Sequence, residues 1–457
     1  MMDLSLAFGL KPGEVVAFVG GGGKTTAMFR LAAEAARQQK RVLVTTSTRI
    51  FAAQIKLAPA HLTFDPATQT LADILPRLET AIAEHGQILL IGQTDAASGK
   101  AFGLPPDIVD GLAASGRFDV ILNEADGSRM RPFKAPASHE PVIPASTSLV
   151  VPVVGLDALE QPLDDAFVHR AELVSRLSGI PLRQPLTPTA LAAVLSHPAG
   201  GLKNVPPPAR VIPLLNKVDR SGRLAAARQI AYKLLTEPRI DSVAIGAVQA
   251  TTAPILEVQN RTALVILAAG GSSRFGSAKQ LALWQGQTFI ERVVETALAV
   301  PNVAKVVVVL GAETERCQAI LADKPVEVVI NPRWAEGQSS SMRAGLAALA
   351  GNIAQAIFLL VDLPGLTPEI ITALIERHHH TLAPLVWPEY EGQRGNPVLF
   401  DRALFAELGQ ISGDTGGRPL LQRYAAQAER VAVASPAILQ DVDRPEDLKK
   451  PKAVSGK

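Results

Sequence analysis

Two segments of the chain begin in the same way. In each, an apolar run of strand length opens directly into a glycine-rich stretch, and an amphipathic helical pattern follows. The first segment starts at Val15–Val19 and the second at Ala263–Leu267. After each start, strand-like runs and helical stretches keep alternating, which is the sequence form of a parallel sheet with crossover helices. The chain has 457 residues, about three times the ~150 residues of a typical domain. The sequence therefore predicts two α/β domains.

The boundary between the two predicted domains falls within Thr251–Thr262, where the last strand of the first domain would run into a linker. We place it near residue 258. The predicted divisions are a first domain at 1–258, a second domain at 259–450 and a flexible tail at 451–457.

Composition and charge exclude several classes of protein. Hydrophobic residues make up 47% of the chain and charged residues 19%, which is enough apolar material for buried cores. The single cysteine, Cys317, rules out an internal disulfide framework and a zinc or iron–sulfur site built on cysteines. The formal net charge of +2 selects neither nucleic acid nor membrane as a partner.

The sequence also bears on location. Apolar runs stay far below the ~20 residues that span a bilayer, and the first residues, MMDLSLAFGLKPGE, lack the pattern of a secretion signal. We therefore expect a cytoplasmic protein without nucleic-acid or membrane partners.

The first glycine-rich stretch has the context of a phosphate-binding loop, between a strand and a helix expected at about Thr25 to Gln39. Glycine N–H groups could converge on phosphate oxygens, Lys24 could balance their charge, and Thr25 could bind Mg²⁺ through its hydroxyl. The loop is shorter than G-x-x-x-x-G-K-[ST], whose first glycine would fall at Phe18, and its spacing resembles that of the Mur-type ligases. The predicted nucleotide-binding residues are Gly20, Gly21, Gly22, Gly23, Lys24, Thr25 and Thr26.

Two later elements of the first domain fit a nucleotide site. A predicted strand at Phe118–Leu122 leads to Glu124 and Asp126, and acids at the carboxyl end of a strand commonly face Mg²⁺. A predicted strand at Val211–Leu215 leads to the sequence NKVD, which matches the N-K-x-D pattern whose aspartate pairs with guanine. The pattern has only three fixed residues, Asn216, Lys217 and Asp219, so ATP and GTP both remain open for this domain.

A family resemblance rests on three motifs of the first domain: GGGGKTT, EADGSRMRPFKAP and HEPVIP. Together they resemble the YqeC family, regarded as accessory to selenium-dependent molybdenum hydroxylases. The resemblance covers about residues 10–255. It implies an NTP-dependent maturation step with an apo molybdenum hydroxylase as partner.

The second glycine-rich stretch, LAAGGSSRFGSAKQ, follows a buried strand and combines backbone donors with two cations. A nucleoside triphosphate requires that combination, because donors hold the base and phosphates while cations offset the phosphate charge. The residues assigned to nucleotide binding are Leu267, Ala268, Ala269, Gly270 and Gly271, and those assigned to catalysis are Arg274 and Lys279.

Polar residues after this loop continue the pattern. The sequence NPRWAEGQSSSMRAG places Ser340 and Ser341 before a helix, where they could bind a nucleotide. A predicted strand at Ile357–Val361 ends at Asp362, whose charge would be costly there without a metal or a cation. Asp443 in DVDRPEDL is the expected second Mg²⁺ ligand. Asp362 and Asp443 are thus the predicted catalytic metal site.

Residues 261–448 resemble the molybdenum cofactor cytidylyltransferase branch of the MobA-like nucleotidyltransferases. The motif L-A-A-G-x-S-x-R-[FM]-G-x-x-K carries the resemblance, and L-A-A-G instead of L-A-G-G favours CTP over GTP. Acceptor binding is assigned by this resemblance to Arg394, Gly395, Asn396, Pro397, Gly413 and Asp414. Asn396 stands where the family commonly has histidine and Phe275 where it commonly has methionine, departures that concern the acceptor more than the chemistry.

The resemblances imply the fold class and the reaction. We expect an N-terminal P-loop-type domain with a parallel sheet and a C-terminal Rossmann-like, MobA-like domain. The expected reaction is Mg²⁺-dependent transfer of CMP from CTP to molybdopterin with release of pyrophosphate. Two alternatives remain open: a nucleotidyltransferase for a sugar or isoprenoid phosphate, and a nucleotide-dependent chaperone that delivers cofactor or selenium.

Overall fold

The computed structural model describes residues 2–95, 100–218, 222–271, 275 and 278–442. The chain divides into two compact units, Met1–Gln259 and Asn260–Lys457. No helix in these described ranges is both long and apolar enough to cross a membrane.

The N-terminal unit is built on a ten-stranded sheet. Its strands are β1 (Glu14–Gly20), β2 (Val42–Thr46), β3 (His61–Thr63), β4 (Gln87–Ile91), β5 (Val120–Glu124), β6 (Leu149–Gly155), β7 (Arg210–Val211), β8 (Leu214–Asn216), β9 (Ser242–Gly246) and β10 (Ile255–Asn260). The order across the sheet is β10-β9-β8-β6-β1-β5-β2-β4-β3, with β7 beside β6. The central strand β1 pairs in parallel with both β6 and β5, so the carboxyl ends of these three strands meet at one edge.

One helix precedes β1 and the others connect the strands. They are α1 (Leu4–Ala7), α2 (Lys24–Arg37), α3 (Ala52–Ile55), α4 (Leu71–His85), α5 (Pro106–Ala114), α6 (Ala171–Ser178), α7 (Pro188–Ser196) and α8 (Leu224–Leu234). Helix α2 begins directly after the glycine loop and buries a face of small and apolar side chains that includes Ala27, Met28 and Leu31. It ends at Arg37, two residues before the helix end predicted at Gln39. Gln39 adopts a left-handed backbone conformation with φ of 60°.

Two strands of this unit differ from their predicted bounds. The strand predicted at Phe118–Leu122 occupies Val120–Glu124 instead, so Glu124 is its last residue and does not follow it. The strand predicted at Val211–Leu215 is divided into β7 and β8. Pro213 lies between the two pieces, and proline has no N–H to donate to a ladder.

The C-terminal unit contains an eight-stranded mixed sheet. Its strands are β11 (Thr262–Ala268), β12 (Val303–Leu310), β13 (Glu327–Ile330), β14 (Gln355–Leu360), β15 (Leu385–Tyr390), β16 (Gln393–Arg394), β17 (Val398–Asp401) and β18 (Glu429–Ala432). The order is β13-β12-β11-β14-β17-β15-β16, with β18 beside β15. Strands β13, β12, β11 and β14 run parallel, and β17 is antiparallel to β14.

The helices of this unit are α9 (Phe289–Leu298), α10 (Thr314–Leu321), α11 (Gln338–Ala347), α12 (Pro368–Thr381), α13 (Phe405–Leu408) and α14 (Arg418–Arg423). Helix α9 starts with a capping box in which the side chains of Thr288 and Glu291 bond to each other's backbone N–H. Strands β11 and β14 are almost wholly buried, which is typical of parallel strands covered on both faces. Their adjacent carboxyl ends place the loops after Ala268 and Leu360 at the same edge.

Candidate functional site

A cleft of about 630 Å³ lies at the carboxyl edge of the C-terminal sheet. Its walls come from the ends of β11 and β14, from the turn before α11 and from the segment that leads to α14. The lining residues are Leu267, Ala269, Gly270, Gly271, Lys279, Gln280, Trp334, Ala335, Glu336, Gly337, Gln338, Ser341, Leu360, Val361, Asp362, Asp414 and Arg418. The structure thus places most of the predicted nucleotide-loop residues beside Lys279 and Asp362. Ala268 and Ser340 do not line the cleft.

Asp362 and Lys279 form the charged centre of this cleft. The Asp362 Oδ2 accepts a hydrogen bond from Lys279 Nζ at 2.9 Å, and the lysine is largely buried. The other carboxylate oxygen, Oδ1, is buried and has no hydrogen-bond partner among the described residues. A buried carboxylate oxygen without a partner is costly, so this atom is suited to bind a cation.

The glycine stretch is held in place by residues that the sequence did not single out. Gln280 Nε2 donates to the carbonyls of Gly270 at 3.3 Å and Ala312 at 3.2 Å. The ring of Trp334 lies against Gly271, where an added Cβ would come within 2.8 Å of it. Gln280 and Trp334 therefore fix the path of the loop. The signal available in the sequence was their position inside two motifs, since Gln280 ends LAAGGSSRFGSAKQ and Trp334 lies in NPRWAEGQSSSMRAG.

The serine-rich turn before α11 is braced in a similar way. Asn331 Nδ2 donates to Ser340 Oγ at 2.8 Å and to Ser341 Oγ at 3.1 Å, and the Gln338 N–H donates to Asp414 Oδ1 at 3.1 Å. The Oγ of Ser339 is buried and has no partner in the described part of the chain. Asp414 was predicted on the acceptor side, and here it joins the serine turn to the cleft.

The rest of the predicted acceptor loop lies outside the cleft lining. Gly395 packs against Ile438, the Asn396 N–H donates to the Ile438 carbonyl at 3.0 Å, and Arg394 lies over the ring of Trp387. Arg394, Gly395, Asn396 and Pro397 are thus next to the short helix Pro436–Leu439. Beyond that helix, the Val442 N–H donates to the Asp362 carbonyl at 3.1 Å, so the same segment connects the acceptor loop to the cleft.

In the N-terminal unit, Lys24 lies between two carboxylates. Its Nζ is 3.3 Å from Asp126 Oδ1 and 3.6 Å from Glu124 Oε1, and it donates to the Gly20 carbonyl at 2.7 Å. Burial alone would lower the pKa of Lys24, but the two carboxylates outweigh burial and hold that pKa above its ordinary value. Burial also raises the pKa of the Glu124 carboxyl, although Lys24 opposes the effect.

Thr25 lies beside this group. Its Oγ1 donates to Glu124 Oε2 at 2.7 Å and accepts from Gln54 Nε2 at 3.1 Å. Hydroxyl and carboxylate oxygens are ligands that Mg²⁺ prefers, and both are present here. Gln54, in α3, is a site residue that the sequence analysis missed, since a glutamine in a four-residue helix carries no motif.

The glycine loop itself is closed by backbone contacts. The Gly20 N–H donates to the Asp126 carboxylate at 3.0 to 3.1 Å. The Gly21 N–H donates to the Val153 carbonyl at 2.8 Å, and the Gly22 N–H donates to the Arg131 carbonyl at 3.1 Å. These three donors were expected to face phosphate, and in this structure they bind the protein. The Gly23 N–H and the N-terminal turn of α2 remain the donors for an anion in the described part of the loop.

A buried chain of charges extends from this site. Asp126 Oδ2 is 3.0 Å from Lys134 Nζ, Lys134 binds Glu140, and Glu140 binds Arg170. Burial would raise the pKa of Glu140, but Arg170 and Lys134 outweigh it and hold that pKa below its usual range. Burial, together with Arg170 and Lys134, lowers the pKa of His169 to about 4, so His169 is neutral near pH 7.

Asn216 and Lys217 lie close to the glycine loop. Asn216 Nδ2 donates to the Gly22 carbonyl at 2.8 Å, and Lys217 Nζ is 2.7 Å from Asp157 Oδ2. Three predicted site residues, Asp219, Arg274 and Asp443, lie outside the described residues. Within the described ranges, no group of three or more His, Cys, Asp or Glu side chains is arranged to hold a metal ion.

Comparison with protein families finds two matches. A family model described as YqeC protein matches residues 16–172, and a model described as MobA-like NTP transferase domain matches residues 264–430. The first match contains the glycine loop with Glu124 and Asp126, and the second contains most of the cleft.

Three curated proteins are similar to parts of the chain. An uncharacterized YqeC protein of Escherichia coli is 31% identical over 235 residues, which is 51% of this chain and 88% of that protein. Nicotine blue oxidoreductase of Paenarthrobacter nicotinovorans is 31% identical over 191 residues, 40% of this chain and 93% of that protein. The molybdenum cofactor cytidylyltransferase of E. coli is 25% identical over 189 residues, 40% of this chain and 92% of that protein.

Proposed function

The chain belongs to the YqeC family through its N-terminal part and carries a MobA-like NTP transferase domain in its C-terminal part, and from this premise we propose a two-part activity. The C-terminal unit transfers CMP from CTP to the phosphate of molybdopterin and releases pyrophosphate. The N-terminal unit binds ATP or GTP with Mg²⁺ and serves the maturation of an apo molybdenum hydroxylase.

One observation carries the transferase proposal: the pairing of Lys279 with one oxygen of Asp362 while the other oxygen is buried without a partner among the described residues. A cleft with a cation and an anion at its base can receive a metal–triphosphate complex, since each charge meets its opposite. The likeness to a molybdenum cofactor cytidylyltransferase and the L-A-A-G sequence of Leu267–Gly270 support CTP and a pterin phosphate as the substrates.

In the proposed reaction, a phosphate oxygen of the acceptor attacks the α-phosphorus of CTP. One P–O bond forms there, and the bond to the β-phosphate oxygen breaks, so pyrophosphate leaves with the electron pair. No general base is needed because the acceptor oxygen is already ionised near pH 7. Lys279 offsets the charge that develops on pyrophosphate, and Arg274 is assigned the same task.

The residues of the cleft fit Mg²⁺, since the unpartnered Oδ1 of Asp362 is a hard oxygen ligand. Asp362 would hold the ion together with Asp443. When bound, Mg²⁺ supplies charge stabilisation at the α-phosphate. The chain's own part is to hold the Asp362 carboxylate with Lys279 and to hold the glycine loop with Gln280.

The proposal for the N-terminal unit rests on the arrangement around Lys24. A buried lysine and a threonine hydroxyl after β1, with two carboxylates at the carboxyl end of the adjacent strand β5, are the groups that bind a metal–nucleotide complex. Phosphates would lie at Gly23 and the N-terminus of α2, and Lys24 would turn from Asp126 and Glu124 toward them.

Mass spectrometry of the reaction products tests the transferase proposal. Purified full-length protein is incubated with Mg²⁺, either CTP or GTP, and one acceptor at a time: molybdopterin, a sugar phosphate or an isoprenoid phosphate. We expect molybdopterin cytosine dinucleotide with CTP and much less product with GTP. A sugar or isoprenoid phosphate as the better acceptor, or no dinucleotide in any mixture, would overturn the assignment.

The likeness to nicotine blue oxidoreductase favours a second candidate, an oxidoreductase that acts on nicotine blue or a related compound, because that relative is 31% identical over 93% of its length. The same mixtures distinguish the two candidates. An oxidoreductase would form no dinucleotide and release no pyrophosphate from CTP in any of them.

A further inference from the structure

A second, smaller cavity of about 220 Å³ lies beside the N-terminus of α2 in the N-terminal unit. It is lined by Gly23, Thr26, Asn216, Lys217, Ala247, Val248 and Gln249. Its volume is below the roughly 300–1,000 Å³ of pockets that enclose a drug-sized ligand. The cavity therefore suits a single ring system better than a whole nucleotide.

Asn216 joins two walls of this cavity and is almost fully buried. Its Nδ2 donates to the Gly22 carbonyl at 2.8 Å, and its Oδ1 accepts from the Val248 N–H at 3.0 Å. Both ends of the amide are engaged by backbone, so Asn216 positions the walls and does not itself select a ligand. An added Cβ on Gly23 would lie 2.3 Å from Asn216 Nδ2, which explains the glycine at that position.

Arg30 of α2 holds the same wall from the other side. Its guanidinium donates to the Val248 carbonyl at 2.8 Å and also to the Ala250 carbonyl, while its Nε donates to buried Glu34 at 3.2 Å. Two independent side chains thus fix the turn at 247–250 in one conformation. A wall held in place before binding lowers the entropic cost of receiving a rigid ligand.

Lys217 supplies an apolar surface to the cavity. Its ammonium group is 2.7 Å from Asp157 Oδ2, so the charge is drawn to that carboxylate. With the ammonium group engaged there, the hydrocarbon stem is the part of Lys217 that is available to a ligand. A lysine stem can cover a flat apolar ring while the charged end stays in a polar environment.

The turn also offers a hydrogen-bond donor. The Val248 and Ala250 N–H groups are engaged by Asn216 Oδ1 and the Ala247 carbonyl. Gln249 is exposed and lines the cavity, and its N–H has no acceptor among the described residues. A donor without a partner favours an oxo group, because an amino group at the same ring position would place donor against donor. Guanine carries an oxo group at position 6, and adenine carries an amino group there.

We infer that this cavity binds the base of the nucleotide in the N-terminal unit and that the base is guanine. The inference rests on the proposed nucleotide binding by that unit. The base would occupy the space between Lys217 and the turn at 247–250, and the phosphates would extend past Gly23 to the N-terminus of α2. Gly23 lines the cavity and directly precedes α2, so a ribose next to Gly23 would connect a base in the cavity to phosphates at the helix N-terminus.

Competition with a fluorescent GDP derivative tests the inference on the full-length protein, with CTP in excess to occupy the C-terminal cleft. We expect GDP and IDP, which share the 6-oxo group, to displace the probe at similar concentrations. ADP should require at least about tenfold more, since one well-placed hydrogen bond changes affinity by about that factor. Equal competition by ADP and GDP would overturn the choice of guanine but leave nucleotide binding intact. No binding of any nucleotide would overturn the proposed function of the unit.

Substitution of Lys217 tests the location of the base. We expect Lys217→Ala to weaken GDP binding about tenfold, whereas Lys217→Met, which keeps a similar stem, should retain most of the affinity. Lys233→Ala, at an exposed position of α8, is the matched control. Wild-type affinity for GDP in Lys217→Ala would place the base elsewhere.

Discussion

Replacing Lys24 with methionine should destabilise the N-terminal unit even when no nucleotide is present. In a phosphate-binding loop whose lysine faces solvent, such a change would remove only ligand affinity. Here Lys24 is 4% exposed and lies between Glu124 and Asp126, so Lys24→Met leaves two buried carboxylates without their shared cation.

The size of the effect follows from these contacts. At an effective dielectric constant of about 20, two unit charges separated by the 3.3 Å between Lys24 Nζ and Asp126 Oδ1 attract by about 5 kcal/mol. Desolvation of the lysine offsets part of this attraction. Removal of one partner of a buried pair typically costs about 3–5 kcal/mol. We expect Lys24→Met to lower the free energy of unfolding by about 3 kcal/mol. The loss should be smaller at about pH 5 than at about pH 8, because protonation of Glu124 removes its repulsion with Asp126.

Urea denaturation followed by two probes measures the effect. All three tryptophans, Trp284, Trp334 and Trp387, belong to the C-terminal unit, so their fluorescence reports on that unit while far-ultraviolet circular dichroism reports on both. The variant should shift a circular dichroism transition and leave the fluorescence transition in place. Lys233→Met, at an exposed site, is the control. An unchanged circular dichroism profile in Lys24→Met would refute the buried ion-pair arrangement.

Two further predictions concern single residues of each unit. Burial raises the pKa of Glu124, so the folded state prefers the neutral carboxyl, and the stability that this form contributes is lost as pH rises through that pKa. Near neutral pH, Glu124→Gln should therefore have a higher urea midpoint than wild type, and the difference between the two midpoints should shrink toward acid pH. The same variant should lose affinity for the Mg²⁺–nucleotide complex. A difference in urea midpoint that grows toward acid pH would contradict the raised pKa of Glu124. Gly337 has φ of 104°, and a Cβ there would lie 2.9 Å from the Asp414 backbone. Gly337→Ala should therefore lower the free energy of unfolding by about 1–3 kcal/mol and slow turnover in the cleft. Tryptophan fluorescence during denaturation measures the first effect, and product formation measures the second. Gly351→Ala, which has open space around its Cβ, should behave like wild type, and equal stability of the two variants would rule out the strain argument.

The two α/β units could be predicted from the sequence because the buried parallel strands are continuous apolar runs with glycines at their carboxyl ends. Strand β11 shows this directly, and four of the five loop residues predicted at Leu267–Gly271, all but Ala268, line the cleft at its carboxyl end. The ends of strands were harder to predict from the sequence where polar residues are buried inside a strand. Glu124 is the example: a carboxylate was expected after the strand, but its bonds to Thr25 and Lys24 let it end β5.

The contacts that close the N-terminal glycine loop could not be predicted. They depend on backbone carbonyls of Arg131 and Val153, which are distant in the chain and carry no sequence signature. The charge chain through Lys134, Glu140 and Arg170 is likewise a product of tertiary packing, since each residue alone resembles a surface charge. Sequence motifs identify which residue types lie at the ends of strands. The loop contacts and the ion pairs depend instead on how the loops fold over those strand ends.

The rate of pyrophosphate release from CTP in the presence of Mg²⁺ and molybdopterin tests the role of the C-terminal cleft most directly. If Asp362 binds the cation through its unpartnered oxygen, Asp362→Asn should lower kcat by about 10²–10³-fold, the usual cost of removing one group that stabilises transition-state charge, under conditions in which tryptophan fluorescence shows the variant to be folded. Asp323→Asn, on an exposed turn, should retain the wild-type rate. Equal rates in Asp362→Asn and Asp323→Asn would contradict the account.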